Sequence, residues 1–294
     1  MAGSEAGNTL EESLADHWSR EGYIVVRGIF DGGLVRKLRT LSDSILERWR
    51  IENPEKGEPG GGPDSNVMRH LNHRGYFHDS PSGLIEILEA AAAPSVLQTA
   101  TEIFGEQPRF RCTSLFFNPL ETSRDGNWHR DSQFRSKNDA EEQALMQERA
   151  HPATGVQLQV ALEPNDDVEF VPRSHLRWDT PKEYHIRKED DEAHNRSNAM
   201  PDAIRIALQP GDAVAFNPMG LHRGRYHIDR LRRTLMLTYR SSSSPPVFDY
   251  FSDQPWFLSE GYLDGLTPET STFYEAYIST YKEDWLTRSS ARTI

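Results

Sequence analysis

Trp128-His129-Arg130-Asp131 sets a histidine and a carboxylate two residues apart, and Gly220-Leu221-His222 offers a second histidine much later in the chain. Two imidazoles and one carboxylate, brought together, form the facial ligand set that holds iron(II) and leaves positions open for oxygen chemistry. The pair at 129 and 131 can share one ion only if the backbone there is extended. In a strand, side chains two apart point to the same face, whereas a helix would turn them about 200° apart. A strand is the expected setting, because residues 109–119 alternate Phe110, Cys112, Ser114 and Phe116 with Arg111, Thr113, Leu115 and Phe117 just upstream.

His222 must come from a different strand of the same body. Residues 211–218 read as turn, strand, turn, which puts His222 at the start of the next strand. Arg233 stands eleven residues further on and opens a stretch in which Arg233, Leu235, Leu237 and Tyr239 share one face and Arg232, Thr234, Met236 and Thr238 the other. A guanidinium turned into a barrel needs a carboxylate, and its planar fork binds one bidentately. Register decides whether Arg232 or Arg233 takes that place.

Several elements must position these residues. Helical spacing predicts helices over 10–20, over 33–50 with Asp31 as its cap, over 84–104 and over the aromatic-rich 268–285. Short strands are expected at 23–26, 155–162, 169–171, 203–208, 213–216 and 233–239, with turn residues between them. Residues 1–9 are small and polar and are expected to be disordered, and the Gly- and Pro-rich stretch 52–66 reads as a mobile surface loop. The fold class is therefore mainly β with flanking helices: a jelly roll with its core near 109–240, an α-helical N-terminal region and a C-terminal helix, all one domain over 10–294.

Bulk properties narrow the function. With 33 Lys and Arg against 45 Asp and Glu, the net charge is −12, which disfavours nucleic acid or an anionic membrane as partner. A single cysteine, no leader-like N-terminus and no apolar run near the ~20 residues of a membrane helix make a cytoplasmic enzyme of small molecules, monomer or homodimer, the expectation.

Taken together, His129-x-Asp131, His222, the arginine eleven residues on, Asn118-Pro119, Val171-Pro172-Arg173-Ser174-His175 and Glu21-Gly22-Tyr23-Ile24-Val25-Val26 resemble the phytanoyl-CoA dioxygenase-like group of iron(II)- and 2-oxoglutarate-dependent oxygenases. The resemblance runs over most of 10–239. It implies a double-stranded β-helix in which His129, Asp131 and His222 bind iron(II), Arg233 holds the distal carboxylate of 2-oxoglutarate, and Gln159 and Thr113 contact that cosubstrate. It implies O2 as co-reactant, with succinate and CO2 released and hydroxylation of a C–H bond as the default outcome. Related halogenating enzymes lack the carboxylate ligand, so Asp131 argues against halogenation; desaturation and cyclisation stay open. Two positions depart from the family pattern: Arg173 stands where a glycine is usual, and Asn118 where many relatives have lysine.

Substrate contacts are expected from residues that follow the ligands in sequence: Arg130, Gln133, Phe134, Arg135 and Arg225. Basic side chains there hint at an anionic substrate. His70, His73 and His78 read as lining of the substrate entrance rather than a second metal site, and His175 as a structural hydrogen-bonding histidine. The alternatives are a cupin-like metalloenzyme that does not use 2-oxoglutarate and a non-catalytic metabolite-binding jelly roll.

Overall fold

A computed structural model describes residues 12–56, 59 and 66–291. The expected disorder of 1–9 and most of the loop at 52–66 therefore lie outside the described residues. Helix α1 (Leu14–Glu21) is closed at both ends by local chemistry: the Ser13 hydroxyl accepts from the Asp16 amide, and Gly22 at φ 80° donates its amide to the Trp18 carbonyl. It leads into strand β1 (Tyr23–Val26) and helix α2 (Gly32–Glu52), whose first amides, Gly33 and Leu34, are capped by Asp31.

The helical stretch expected over 84–104 is two helices, α3 (Pro81–Ala91) and α4 (Pro94–Phe104). Pro94 separates them, because it has no amide to donate and biases the preceding residue out of the helical region. Strands β2 (Val67–Arg69), β3 (Pro108–Phe117) and β4 (Arg124–Asp125) follow, then helix α5 (Asp139–Ala150), which the sequence reading does not include. The remainder is β5 (Gly155–Ala161), β6 (Asn165–Phe170), α6 (Pro181–Arg187), the four-residue α7 (Glu189–Glu192), β7 (Ile204–Leu208), β8 (Ala213–Phe216), β9 (His222–Tyr226), β10 (Arg233–Ser241) and α8 (Pro268–Ala291).

All strand pairs are antiparallel, in a six-stranded sheet of order β1-β8-β5-β10-β3-β2 and a four-stranded sheet of order β4-β9-β6-β7. This is a jelly-roll architecture, mostly antiparallel with flanking helices. Leu235, Leu237 and Tyr239 on one face of β10 join the main core beneath the helices, together with Leu88, Tyr274 and Tyr277. Val168, Phe170, Ile206, Leu208, Val214 and Phe216, drawn from both sheets, form a second cluster. The opposite face of β10, with Met236 and Thr238, lines a cavity. No helix among the described residues is long and apolar enough to cross a membrane.

Candidate active site

His129, Asp131 and His222 meet at this cavity, with one potential ligand atom from each lying within 4.8 Å of the others. His129 and His222 exchange backbone hydrogen bonds of 3.1 and 3.0 Å in an isolated antiparallel bridge, which tethers the first motif to the start of β9. Asp131 is not on a strand, as expected from the sequence, but opens a 3-10 turn over Asp131–Arg135. The same-face geometry survives because Arg130 between them is extended, at φ −114° and ψ 143°. Trp128 anchors the segment: its ring is buried, its indole N–H donates to the Ser197 carbonyl at 2.9 Å, and the Arg223 guanidinium lies 4.6 Å over its face. Gly220 allows the close approach on the other side, since a Cβ there would stand 2.5 Å from the Phe170 ring.

The ligand atoms are oriented before any ion arrives. His129 Nδ1 is 2.7 Å from the Asn127 carbonyl and His222 Nδ1 is 3.0 Å from the Gly220 carbonyl, so each ring protonates on Nδ1 and turns its Nε2 lone pair into the cavity. Those Nε2 atoms stand 3.8 and 3.7 Å from Asp131 Oδ1. The other carboxylate oxygen accepts a 2.6 Å hydrogen bond from Gln157 Nε2. Burial, together with neighbouring His129, pushes the His222 imidazole well below its ordinary range. The Asp131 side chain is 31% accessible, yet enough protein surrounds the carboxyl that desolvation pushes it up, against the pull of His129. Two Nε2 atoms turned inward beside a partly desolvated carboxylate make a donor set that a divalent cation satisfies, and the set matches iron(II).

The cavity has a volume of about 420 Å³. Gln159 lines it, as does Gln157, which the sequence reading missed although it shares a face of β5 with Gln159. Arg232 lines it too, 2% exposed, with its guanidinium 4.9 Å from the centre of the Phe116 ring and 4.8 Å from that of Tyr226. Its Nη1 donates to the Arg225 carbonyl at 2.8 Å, Nε lies 3.5 Å from Asp167 Oδ2, and Nε has no hydrogen-bond partner. Arg233 does not face inward as expected. Alternation along β10 turns it to the helix side, where it pairs with Asp43 of α2 at 2.5 Å and donates to Asn118 at 3.3 Å.

Other expected contacts divide in the same way. Thr113 lies on the outer face of β3 and donates to Asn72 at 2.8 Å, away from the cavity. Arg130 is fully buried on the far side of the motif and bonds Asp179 through both Nε and Nη2. Gln133 accepts from Arg187, and Arg225 is held by Asp125 at 2.8 Å. These four are corrected: tertiary packing turns them into the surrounding structure. Phe134 and Arg135 do line the cavity, Phe134 with its ring centre 5.3 Å from that of His129. His70 packs against Tyr250 and Trp256, His73 against Tyr76 and Trp256, and His78 is exposed. His175 Nε2 faces the Ser19 carbonyl at 3.2 Å.

The sequence matches the phytanoyl-CoA dioxygenase family model over residues 18–232, and the chain belongs to that family. Its cofactors are accordingly iron(II), 2-oxoglutarate and O2, and it belongs with the iron- and 2-oxoglutarate-dependent enzymes. Among solved structures, EctD from S. alaskensis with 2-oxoglutarate and 5-hydroxyectoine is similar at 19% identity and TM-score 0.57, covering 87% of this chain and 86% of that one. The alpha-ketoglutarate-dependent epimerase SnoN from nogalamycin biosynthesis matches at 19% identity and TM-score 0.55, covering 84% and 88%. The carbocyclase SnoK from the same biosynthesis matches at 15% identity and TM-score 0.54, covering 82% and 88%. No curated protein sequence gives a significant match.

Proposed function

We propose that the chain hydroxylates an unactivated C–H bond of a small organic molecule in the cytoplasm, with His129, Asp131 and His222 holding the metal and Arg232 holding the distal carboxylate of 2-oxoglutarate. The observation that carries this reading is one cavity with a three-ligand site and, at the start of β10, an arginine whose Nε has no hydrogen-bond partner. When bound, the iron, 2-oxoglutarate and O2 supply the oxidant, so that one oxygen atom enters the substrate and the other leaves in succinate, with CO2 released.

The protein's own residues then have separable tasks. The Asn127 and Gly220 carbonyls keep both imidazoles in the tautomer that ligates, and Gln157 holds one oxygen of Asp131 so that the other turns to the ion. Phe116 and Tyr226 pin the Arg232 guanidinium in place and keep water from it. Gly224 supports this, since a Cβ there would stand 2.5 Å from the Tyr226 hydroxyl and 3.3 Å from Arg232 Nη1. Hydroxylation is favoured over halogenation because the carboxylate ligand is present; the epimerase and carbocyclase among the structural neighbours illustrate that substrate position can divert the outcome.

The test is a metabolite screen by mass spectrometry with iron(II), 2-oxoglutarate and ascorbate. A product heavier by one oxygen, formed with equimolar succinate, is expected. A product that forms without succinate, or equally fast in Asp131→Ala, would sink the reading.

A further inference from the structure

The end of the cavity away from Arg232 carries more positive charge than the described protein balances. Among the described residues the lining has seven arginines and one carboxylate, Asp131, which belongs to the metal site. Arg223 is matched by Glu169, Arg232 has Asp167 at 3.5 Å, and Arg69 donates to the Ser114 hydroxyl and lies over the Phe116 and Phe251 rings. Arg111, Arg135, Arg149 and Arg240 are not so served. Asp249 is shared between Arg111 at 2.7 Å and Arg135 at 2.9 Å. Arg149 has only Glu148, 4.0 Å away and 72% exposed. Arg240, 7% exposed, faces the cavity with its Nε lacking any hydrogen-bond partner.

The placement is a consequence of strand register. Opposite β10, Gly155 of β5 pairs with Arg240, Gln157 with Thr238 and Gln159 with Met236. Arg240 thus stands one inward step beyond the level of Gln157, the residue that holds Asp131, while Arg232 lies at the other end of the same face. One step of two residues is about 6.7 Å. Gly155 has no side chain to fill the space facing Arg240, and Arg149 at the end of α5 and Arg111 of β3 close around it. Crowding is felt by the groups themselves: burial, then Arg111 and Arg149, pushes Arg240 down to about 10, and burial, then Arg135 and Arg111, lowers Arg149.

We propose that Arg111, Arg149 and Arg240 form a second oxyanion subsite, which binds a carboxylate or phosphate group of the substrate and so presents a nearby C–H bond to the metal centre. The proposal rests on the oxygenase reading for the identity of the site, and it narrows the substrate to a compact anionic metabolite, since the cosubstrate shares the same 420 Å³. A buried guanidinium without a counter-charge is costly to the free protein. A ligand oxyanion removes that cost and gains charge-assisted, bidentate hydrogen bonds.

Calorimetric titration of the metal-free, full-length chain tests this with two probes, inorganic phosphate and malonate, run separately. Either probe should bind wild type and bind Arg149→Gln/Arg240→Gln at least about tenfold more weakly; Arg240→Lys, which keeps the charge, should recover part of the loss. Whichever probe depends more strongly on Arg240 names the head group. Unchanged affinity in the double variant with its fold intact by circular dichroism, or no binding of either probe by wild type, overturns the subsite. Failure of the oxygenase reading looks different: 2-oxoglutarate would bind Arg232→Gln as well as wild type while the phosphate or malonate response still tracked Arg240.

Discussion

Two groups of arginines flank the metal motif, and they are built on opposite terms. In the first, Arg130 and Arg187 are fully buried, and between them stand Asp179 and Glu142, with Lys188 closing the network at 2.5 Å from Glu142. Each guanidinium has a carboxylate at hydrogen-bond distance, and Trp178 lies 6.0 and 5.2 Å from the two. In the second, Arg111 and Arg135 share Asp249, while Arg149 has only exposed Glu148 at 4.0 Å and Arg240 lines the same cavity with its Nε unpartnered. A closed network of charges specifies how α5, α6 and the motif pack. A network short of anions is completed by something from outside. Proximity in sequence to the metal ligands marks neither kind, because Arg130 is flanked by two ligands yet belongs to the closed group.

The largest effect expected from breaking this contrast lies in the closed network. Asp179→Ala strands the buried Arg130 guanidinium without a carboxylate and leaves Arg187 with Glu142 alone, and a loss of about 3–5 kcal/mol is expected, as for a broken buried pair. Urea unfolding checks it; a loss below about 1 kcal/mol would mean that the network relaxes and that its closure says little about structure.

Arg232 and Arg233 give the next effect, and they isolate direction from charge. The two are adjacent, but one stands among Phe116, Tyr226 and the cavity while the other pairs with Asp43 on α2. Arg232→Gln should weaken 2-oxoglutarate binding about 100-fold, the worth of a charged bidentate contact, while Arg233→Gln changes it less than about twofold. Equal losses from both would remove the distinction between the faces of β10.

A smaller and opposite effect is expected in the open group. Arg240→Met takes an uncompensated charge out of a buried position and fills the space with an apolar chain of similar length, so the ligand-free protein should gain about 1 kcal/mol. For a chain of this size that is a rise of about 2 °C in the melting temperature. A fall of several degrees would show that Arg240 is held by the protein after all and would move it into the structural class.

How much of this was legible in the sequence follows the same division between local and tertiary information. The His129-x-Asp131 pair, the helix cap at Asp31 and the strand periods rest on spacing within a few residues, and these could be read directly. The two faces of β10 were also visible. What was missing was which face the barrel turns inward, although the apolar run Leu235, Leu237, Tyr239 marks the side that packs under helices and leaves Arg232 with the polar side. Gln157 could have been found by the same rule, two residues before Gln159. The open arginine group was beyond reach, since it gathers residues from β3, α5 and β10, one of them on an unread helix and another a residue past the expected end of the strand at 239.

Arg173 belongs to neither group and therefore calibrates both. It holds the left-handed conformation, φ 64° and ψ −1°, at the position where the sequence pattern leads one to expect glycine. Its side chain is 67% exposed and reaches Glu21 only at 3.6 Å, an interaction worth little on a surface. The backbone there is fixed by other means, since the Arg173 amide donates to the Glu21 carbonyl at 2.9 Å and Gly22 next to it lies against the His175 ring, where a Cβ would come within 2.4 Å of Nδ1. Arg173→Gly keeps that hydrogen bond and relieves the left-handed strain, which costs an L-residue about 1 kcal/mol, against a partial entropic loss in the unfolded chain. A net gain of about 0.5 kcal/mol is expected, with binding of 2-oxoglutarate, phosphate and malonate all unchanged. Removing a positive charge here without altering anion binding would show that charge alone does not draw the ligands; a change in binding would mean that the field of the whole protein, rather than the three arginines at the cavity's end, holds the anion.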